Sequence, residues 1–204
     1  MNKRGMVIVI SGPSGSGKGT VVNALREIYS DAEVSISATT RAPRTGERDG
    51  VEYYFKTREE FEGLIEHGEV LEYTQYNGNY YGTLKSEAER ITESGHDLIL
   101  EIEVDGAGQI KRLLGDKCVL IMLIAPSATE LERRLRGRGT ETDEVIKKRL
   151  DRAKEEIELA SSYDYVVVNE TGCHVECAGD IVSIIKSSHF KAERMADYIK
   201  EYYS

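Results

Sequence analysis

The sequence predicts an α/β fold in which a five-stranded parallel sheet is flanked by helices. Apolar runs of about four to eight residues alternate with longer stretches of helical periodicity, which is the pattern of βαβ units. A glycine-rich segment directly follows the first apolar run. With 204 residues, the chain is long enough for one sizeable domain or for a core that carries small insertions.

Five apolar runs are predicted to form buried strands, at residues 6–11, 34–37, 98–102, 119–124 and 165–168. The stretches of helical periodicity are predicted to form helices at residues 19–28, 106–114, 128–136, 143–159, 175–188 and 191–202. Ser127, with Glu130 three residues later, matches a capping box at the start of one of these helices.

Two segments interrupt the βαβ pattern. Residues 38–79 are rich in tyrosine, arginine and glutamate, and Thr57 with Glu60 predicts one helix within them. We interpret this segment as an inserted substrate-binding subdomain with short strands. Residues 136–141, Arg-Gly-Arg-Gly-Thr-Glu, separate two predicted helices with two glycines, so this loop can act as a hinge.

Composition and charge restrict the function classes. A hydrophobic content of 40% with 31% charged residues is ordinary for a globular protein. No apolar stretch approaches the roughly 20 residues of a spanning helix, and no secretory leader is evident, so we expect a cytoplasmic protein without a membrane partner. The net charge of −9 argues against nucleic acid as a partner.

Three cysteines, Cys118, Cys173 and Cys177, make an odd count, so reduced thiols are expected instead of a disulfide framework. Cys173, His174 and Cys177 have the residue types of a zinc site but lack an evident fourth ligand. We therefore favour ordinary surface and core roles for them and predict no protein-bound metal site.

A phosphate-binding loop is predicted at residues 12–20, Gly-Pro-Ser-Gly-Ser-Gly-Lys-Gly-Thr, which fit the P-loop spacing G-x-x-x-x-G-K between a strand and a helix. Its glycines let backbone amides face the phosphates, the helix amino terminus adds positive potential, and Lys18 neutralises the β and γ groups. The loop residues expected to bind are Gly12, Pro13, Ser14, Gly15, Ser16, Gly17, Lys18, Gly19 and Thr20. The alternative is a strand-to-helix turn that happens to contain lysine.

Magnesium ligation departs from the strict motif. Gly19 stands where serine or threonine usually holds the ion, and Thr20 follows one place later. Direct ligation by the loop is therefore not expected. Water-mediated coordination that involves Glu101, at the end of a predicted strand, is our hypothesis.

A second cluster suits a phosphorylated, flat acceptor. Arg41 and Arg44 flank a proline and can grip one phosphate from two sides, although a solvated basic loop is the alternative. Downstream, Glu72 adds a carboxylate, Thr83 a hydroxyl, and several tyrosines add aromatic rings. Together these groups can bind a base that carries hydrogen-bond donors and acceptors.

In their order and spacing, these segments and the loop at 136–141 resemble guanylate kinase, a nucleoside monophosphate kinase, from about residue 5 to residue 188. The resemblance implies reversible transfer from ATP to GMP, giving ADP and GDP in purine nucleotide metabolism, with Mg²⁺ bound together with ATP. It also implies a P-loop core at residues 1–37 and 84–204, an inserted GMP-binding subdomain at 38–83, and a lid at about 137–145.

The family motif implies a role for each matching residue. The residues expected to bind the GMP phosphate are Arg41, Arg44, Tyr53 and Tyr81, and those expected around guanine are Ser37, Glu72, Thr83 and Glu103. A carboxylate such as Glu72 can accept hydrogen bonds from N1 and the amino group of guanine, whereas adenine cannot satisfy it. The segment 101–106, Glu-Ile-Glu-Val-Asp-Gly, departs from the Asp-x-Asp-x-Gln-Gly version common among relatives.

The residues implied in catalysis are the cations Lys18, Arg41, Arg138 and Arg149, because phosphoryl transfer depends mainly on alignment and charge neutralisation. By contrast, Arg134 and Arg136 are predicted to be solvated. The family places Asn169 near the ATP base, with a strand-terminal turn as the alternative.

Two other functions and two quaternary states stay open. The same fold can serve a different acceptor, such as another nucleotide or a phosphorylated sugar, although Glu72 and Thr83 argue against it. Some guanylate-kinase-like domains are non-catalytic protein-binding modules that lose the phosphate loop, whereas Lys18 and the loop glycines are intact here. The sequence is compatible with a monomer or a homodimer.

Overall fold

The computed structural model describes residues 4–137, 139 and 142–202. The strands in these ranges are β1 (Val7–Ser11), β2 (Ala32–Val34), β3 (Ala38–Thr39), β4 (Tyr54–Phe55), β5 (Val70–Tyr76), β6 (Asn79–Leu84), β7 (Asp97–Glu101), β8 (Cys118–Ile124) and β9 (Tyr165–Val168). The helices are α1 (Lys18–Ile28), α2 (Arg58–Glu66), α3 (Lys85–Glu93), α4 (Val104–Leu114), α5 (Ala128–Arg136), α6 (Asp143–Glu158), α7 (His174–Ser188) and α8 (Ala196–Glu201).

The main sheet confirms the predicted fold class, with five parallel strands in the order β2-β7-β1-β8-β9. Val9 of β1 is in register with Leu100 of β7, and both side chains are fully buried. Strands β1, β7 and β8 are almost entirely buried, which explains why they were detectable as continuous apolar runs. One boundary was wrong, since β2 lies at Ala32–Val34 instead of 34–37. Beyond the strand, the amide of Ile36 donates to the Glu87 carboxylate and not to a neighbouring strand.

A second sheet of four strands, in the order β4-β3-β6-β5, forms within the predicted insertion. Strands β5 and β6 form an antiparallel hairpin, and its turn uses positive φ at Asn77 and Gly78, as a tight hairpin turn requires. Helix α2 begins with the predicted capping box of Thr57 and Glu60. Phe61 of this helix is fully buried, and it packs with the second sheet's residues.

Two local expectations were wrong, and one helix was missed. Helix α3 was not predicted, because its buried face combines Glu87 and Thr92 with only two apolar residues, Ala88 and Ile91. The expected helix at 191–202 is a 3₁₀ turn at Ala192–Met195 followed by the short α8. The box at α5 is only half formed: Ser127 accepts from the amide of Glu130, but the Glu130 carboxylate binds other partners.

The described residues form two compact units. One lies within Met1–Pro13 and Asp31–Leu120, and it contains β1 to β7 with α2, α3 and α4. The other lies within Ser14–Ser30 and Ile121–Ser204; in it α1 packs against α7, and α5 and α6 enclose a small apolar core. Across the described ranges, no helix combines the length and apolarity needed to cross a membrane.

Candidate functional site

The glycine-rich loop connects β1 to the amino terminus of α1. Gly17 precedes the helix with φ of 95°, and a β carbon there would lie 2.4 Å from Nδ2 of Asn169, so only glycine fits. Helix α1 has no side-chain cap and no acidic residue in its first turn. The amides of that turn and their positive potential therefore suit an anion.

Two serines and one arginine equip this loop for phosphate oxygens. Ser16 is fully buried, and its Oγ has no hydrogen-bond partner among the described residues. Ser14 Oγ accepts a hydrogen bond of 2.9 Å from Nη1 of Arg149, so the structure brings this predicted arginine to the loop. Lys18 is the first residue of α1. Arg138, the catalytic arginine predicted in the lid, lies outside the described residues.

Asn169 and Arg134 hold the loop through hydrogen bonds to its backbone. The side-chain amide of Asn169, which is 5% exposed, donates to the carbonyl oxygen of Ser16 at 2.9 Å. Arg134 donates from Nη1 to the same oxygen at 3.2 Å and from Nη2 to the carbonyl oxygen of Asn169 at 2.8 Å. The prediction that Arg134 is solvated was therefore wrong: its side chain is only 17% exposed.

Glu130 orients this arginine. Its carboxylate accepts hydrogen bonds from Arg133, Arg134 and the Thr171 hydroxyl, and the bonds from these three residues hold the pKa of Glu130 far below its usual range. Glu130 is consequently ionised at neutral pH. Arg136 differs, because it is 49% exposed and pairs with Glu132 and Asp143, in line with its predicted surface position.

In the other unit, the structure gathers an arginine and two tyrosines of the predicted acceptor site. The Arg41 guanidinium lies 5.3 Å from the centre of the Tyr53 ring, and the ring of Tyr81 packs against that of Tyr53. The two tyrosine rings meet edge to face at 6.1 Å. This arrangement gives one cation with two nearby hydroxyl-bearing rings, which is a set suited to a phosphate.

Glu47 is a residue of this loop to which the sequence assigned no role. It binds Arg41 through two parallel hydrogen bonds of 3.0 Å and also accepts from the backbone amide of Arg44 at 2.7 Å. The hydrogen bond from Arg41 is the largest cause of the lowered pKa of Glu47. An acidic side chain in an otherwise basic segment was the available signal. Arg44 itself is exposed.

A buried carboxylate and a hydroxyl form the predicted base-reading pair. Glu72 on β5 is in register with Thr83 on β6, and Thr83 Oγ1 donates to Glu72 Oε1 at 2.8 Å. Glu72 is 4% exposed and Thr83 is fully buried. Burial raises the pKa of the Glu72 carboxyl, and its hydrogen bonds with Thr83 lower it in part.

The two remaining predicted guanine contacts are Ser37 and Glu103. Ser37 is half-buried, and its carbonyl oxygen accepts from the amide of Tyr54 at 2.9 Å. Glu103 is exposed at the start of α4, and Gly106 in the first turn of this helix faces the Glu72 carboxylate. The roles of Ser37 and Glu103 toward a base stay predictions.

A parallel α/β sheet whose first strand runs through a glycine-rich loop into an uncapped helix defines a P-loop protein of the nucleotide-binding class. Within that class, the family model for guanylate kinase matches residues 4–176, and the chain belongs to the guanylate kinase family.

Relatives of known identity agree with this family. The guanylate kinase of Halalkalibacterium halodurans is 51% identical over 196 residues, covering 96% of this chain and 94% of the relative. That of Streptococcus mutans is 50% identical over 200 residues, covering 96% and 92%. The crystal structure of guanylate kinase from Anaplasma phagocytophilum superposes with a TM-score of 0.72 at 34% identity, covering 94% of this chain and 90% of that one.

Proposed function

We propose that the chain transfers the terminal phosphoryl group of ATP to GMP, producing ADP and GDP. Family membership supports the reaction type, and the buried Glu72–Thr83 pair carries the choice of acceptor. Thr83 occupies Oε1 of Glu72, so Oε2 is available for the N1 hydrogen and amino group along one edge of guanine. Adenine presents no matching pair of donors, and a buried acceptor without partners is costly.

The acceptor site holds GMP at its two ends. Arg41, Arg44, Tyr53 and Tyr81 bind the phosphate, and Ser37, Glu72, Thr83 and Glu103 surround the base. The contacts of Tyr53 with Arg41 and with Tyr81 support the first assignment. Glu47 keeps Arg41 in a fixed orientation before GMP arrives, which lowers the entropy lost on binding.

ATP is held by the loop at residues 12–20 and Asn169, with Lys18, Arg138 and Arg149 supplying positive charge together with Arg41. Its acceptor is already anionic, so the reaction needs aligned substrates and neutralised charge and no protein nucleophile. The bond between Arg149 and Ser14 and the buried hydroxyl of Ser16 support this assignment.

Magnesium accompanies ATP in this proposal. Gly19 has no side-chain ligand atom, whereas Glu101 supplies carboxylate oxygens of the kind that Mg²⁺ prefers. Glu101 is exposed, and it is in register with Ile10, just before the glycine-rich loop. Glu101 would hold the ion through water, and the ion would neutralise charge on the phosphates.

The domain roles and cellular location belong to the same proposal. Residues 38–83 act as the GMP-binding insertion, supported by their separate four-stranded sheet, within a core at 1–37 and 84–204. Residues of about 137–145 act as the lid. Cys118, Cys173 and Cys177 are all free thiols, which suits the reducing cytoplasm.

The proposal is tested with purified protein, ATP and Mg²⁺, and GMP, AMP, UMP or CMP as acceptor. We expect kcat/KM for GMP to exceed that for AMP by on the order of 10⁴, because a polar site rejects a base that cannot satisfy it. The Lys18→Met variant serves as the inactive control. Comparable use of AMP contradicts the base assignment, and production of no GDP contradicts the function itself.

Titration calorimetry distinguishes a kinase from a non-catalytic protein-binding module. A kinase binds GMP and ATP in separate titrations, whereas a module that only binds protein gives no heat with either nucleotide.

A further inference from the structure

Glu87 on α3 is a buried carboxylate that lies outside the residues assigned above. It is only 3% exposed, and both of its oxygens are engaged. Arg90 donates to them from Nε at 3.0 Å and from Nη2 at 3.1 Å. The Tyr54 hydroxyl donates to Oε2 at 3.2 Å, and the backbone amide of Ile36 donates to Oε1 at 3.4 Å.

The two groups that Glu87 holds in addition to Arg90 are immediate neighbours of proposed acceptor-site residues. Ile36 precedes Ser37, which we assign to the guanine. Tyr54 follows Tyr53, which we assign to the GMP phosphate. The two segments also contact each other directly, through the bond from the Tyr54 amide to the Ser37 carbonyl. Glu87 therefore binds one segment next to a proposed guanine contact and one segment next to a proposed phosphate contact.

A purely structural role does not require an ion here. Taking a carboxylate out of water is unfavourable, and an apolar side chain of similar size often stabilises a core equally well or better. Burial favours the protonated form of Glu87, but hydrogen bonds from Arg90, Ile36 and Tyr54 together lower its pKa below the usual value. The charge is thus retained, and it fixes the direction of two donors on different segments.

We propose that Glu87 is a positioning residue of the acceptor site, which aligns Ser37 and Tyr53 for GMP by holding Ile36 and Tyr54. This inference rests on the proposed function. It makes α3 and the Glu87–Arg90 pair part of GMP recognition, although neither side chain is proposed to touch the substrate. Arg90 also binds Glu33 at 3.0 Å, which anchors the pair at the edge of the main sheet.

The Glu87→Gln variant tests the proposal. Glutamine has nearly the same shape, but its NH₂ group cannot accept the hydrogen bonds that the second carboxylate oxygen accepts. We expect KM for GMP, and the Kd for GMP alone measured by calorimetry, to rise roughly tenfold, as for loss of a charged hydrogen bond. KM for ATP should stay within about twofold, because the glycine-rich loop is held by Asn169 and Arg134 and not by Glu87. Glu89→Gln is the matched control, since Glu89 is exposed on the same helix.

Tyr54→Phe is a second variant that keeps the ring and removes one hydroxyl. We expect a rise in KM for GMP of roughly threefold, and in the double variant less than the product of the single effects, because both changes break one contact. If Glu87→Gln does not fold, Tyr54→Phe alone decides the question.

Three outcomes are distinguishable. No GDP from the wild-type protein contradicts the proposed function. An active wild type combined with unchanged KM and Kd for GMP in both variants overturns the role of Glu87. A lower melting temperature with equal changes of KM for GMP and ATP also overturns it, because that pattern is general destabilisation.

Discussion

Gly106 and Glu72 are in such close contact that a β carbon on Gly106 would lie 2.7 Å from Oε2 of the carboxylate. Glu72 is buried and bound to Thr83, so it cannot move away without losing that hydrogen bond. Gly106→Ala is therefore expected to raise KM for GMP by roughly tenfold and to leave KM for ATP unchanged. Gly108→Ala is the control, because its β carbon would meet Arg112 at an ordinary 3.5 Å. Equal effects of the two variants would contradict the prediction.

Glu72→Gln should stabilise the free protein while impairing its function. The folded-state pKa of Glu72 is raised mainly by burial, so this group contributes its stability below the unfolded pKa and loses it as the pH rises through the folded pKa. At pH 7 the variant should melt at a higher temperature than the wild type, and the difference should vanish below about pH 4. Turnover of GMP should fall by on the order of 100-fold.

Melting curves from pH 3 to 8 and the acceptor assay measure both effects of this change. Glu69→Gln is the control, since Glu69 is exposed on the same segment and should alter neither quantity. A lower melting temperature of Glu72→Gln at pH 7 would show that the ionised carboxylate stabilises the free protein.

The sequence was most informative where a pattern and a physical constraint coincide. Strands buried on both faces are continuous apolar runs, which is why β1, β7 and β8 were found with small boundary errors. The phosphate loop could also be predicted, because backbone geometry requires its glycines. The close approach of Gly17 to Asn169 illustrates this requirement. Helix α3 escaped detection because a charged residue, Glu87, occupies a buried position on it.

The supporting contacts of the site could not be predicted from the sequence, for a different reason. Arg134 and Arg136 are two residues apart on one helix and have the same side chain, yet one braces the loop and the other pairs with acidic residues at the surface. Their difference arises from which face of α5 meets the loop, and tertiary packing decides that. Likewise, the partnership of Glu47 with Arg41 depends on how an irregular loop turns back on itself.

Arg149→Ala should lower kcat far more than it lowers stability. Its contact with Ser14 places a cation at the phosphate loop, and removal of such a charge typically slows phosphoryl transfer by on the order of 10³. The melting temperature should change little, because the side chain is partly exposed on α6. Lys148→Ala, its exposed neighbour, is the control. A loss of activity that merely follows the unfolded fraction would contradict a role in transfer.

The three thiols should react in a fixed order. Cys118 and Cys177 are buried, and burial together with the nearby Asp180 carboxylate raises the pKa of Cys177 to about 11. Because the thiolate is the reactive form, we expect a disulfide reagent at pH 7.5 to modify Cys173 first and the other two only after unfolding. Mass spectrometry of the modified peptides identifies the site. Modification of Cys177 at the rate of Cys173 in the native protein would refute this order.

Arg134→Lys should weaken ATP binding selectively. A guanidinium spans the carbonyl oxygens of Ser16 and Asn169 while Glu130 holds its Nε, and a lysine ammonium cannot reproduce that planar fork. The buried loop carbonyl of Ser16 then keeps only its bond from Asn169, so the loop loses its fixed conformation. KM for ATP is expected to rise roughly tenfold and KM for GMP to stay within about twofold. Arg133→Lys is a close control, because Arg133 binds the same Glu130 but is 64% exposed. Equal kinetics for the two variants would mean that the loop holds its shape without Arg134.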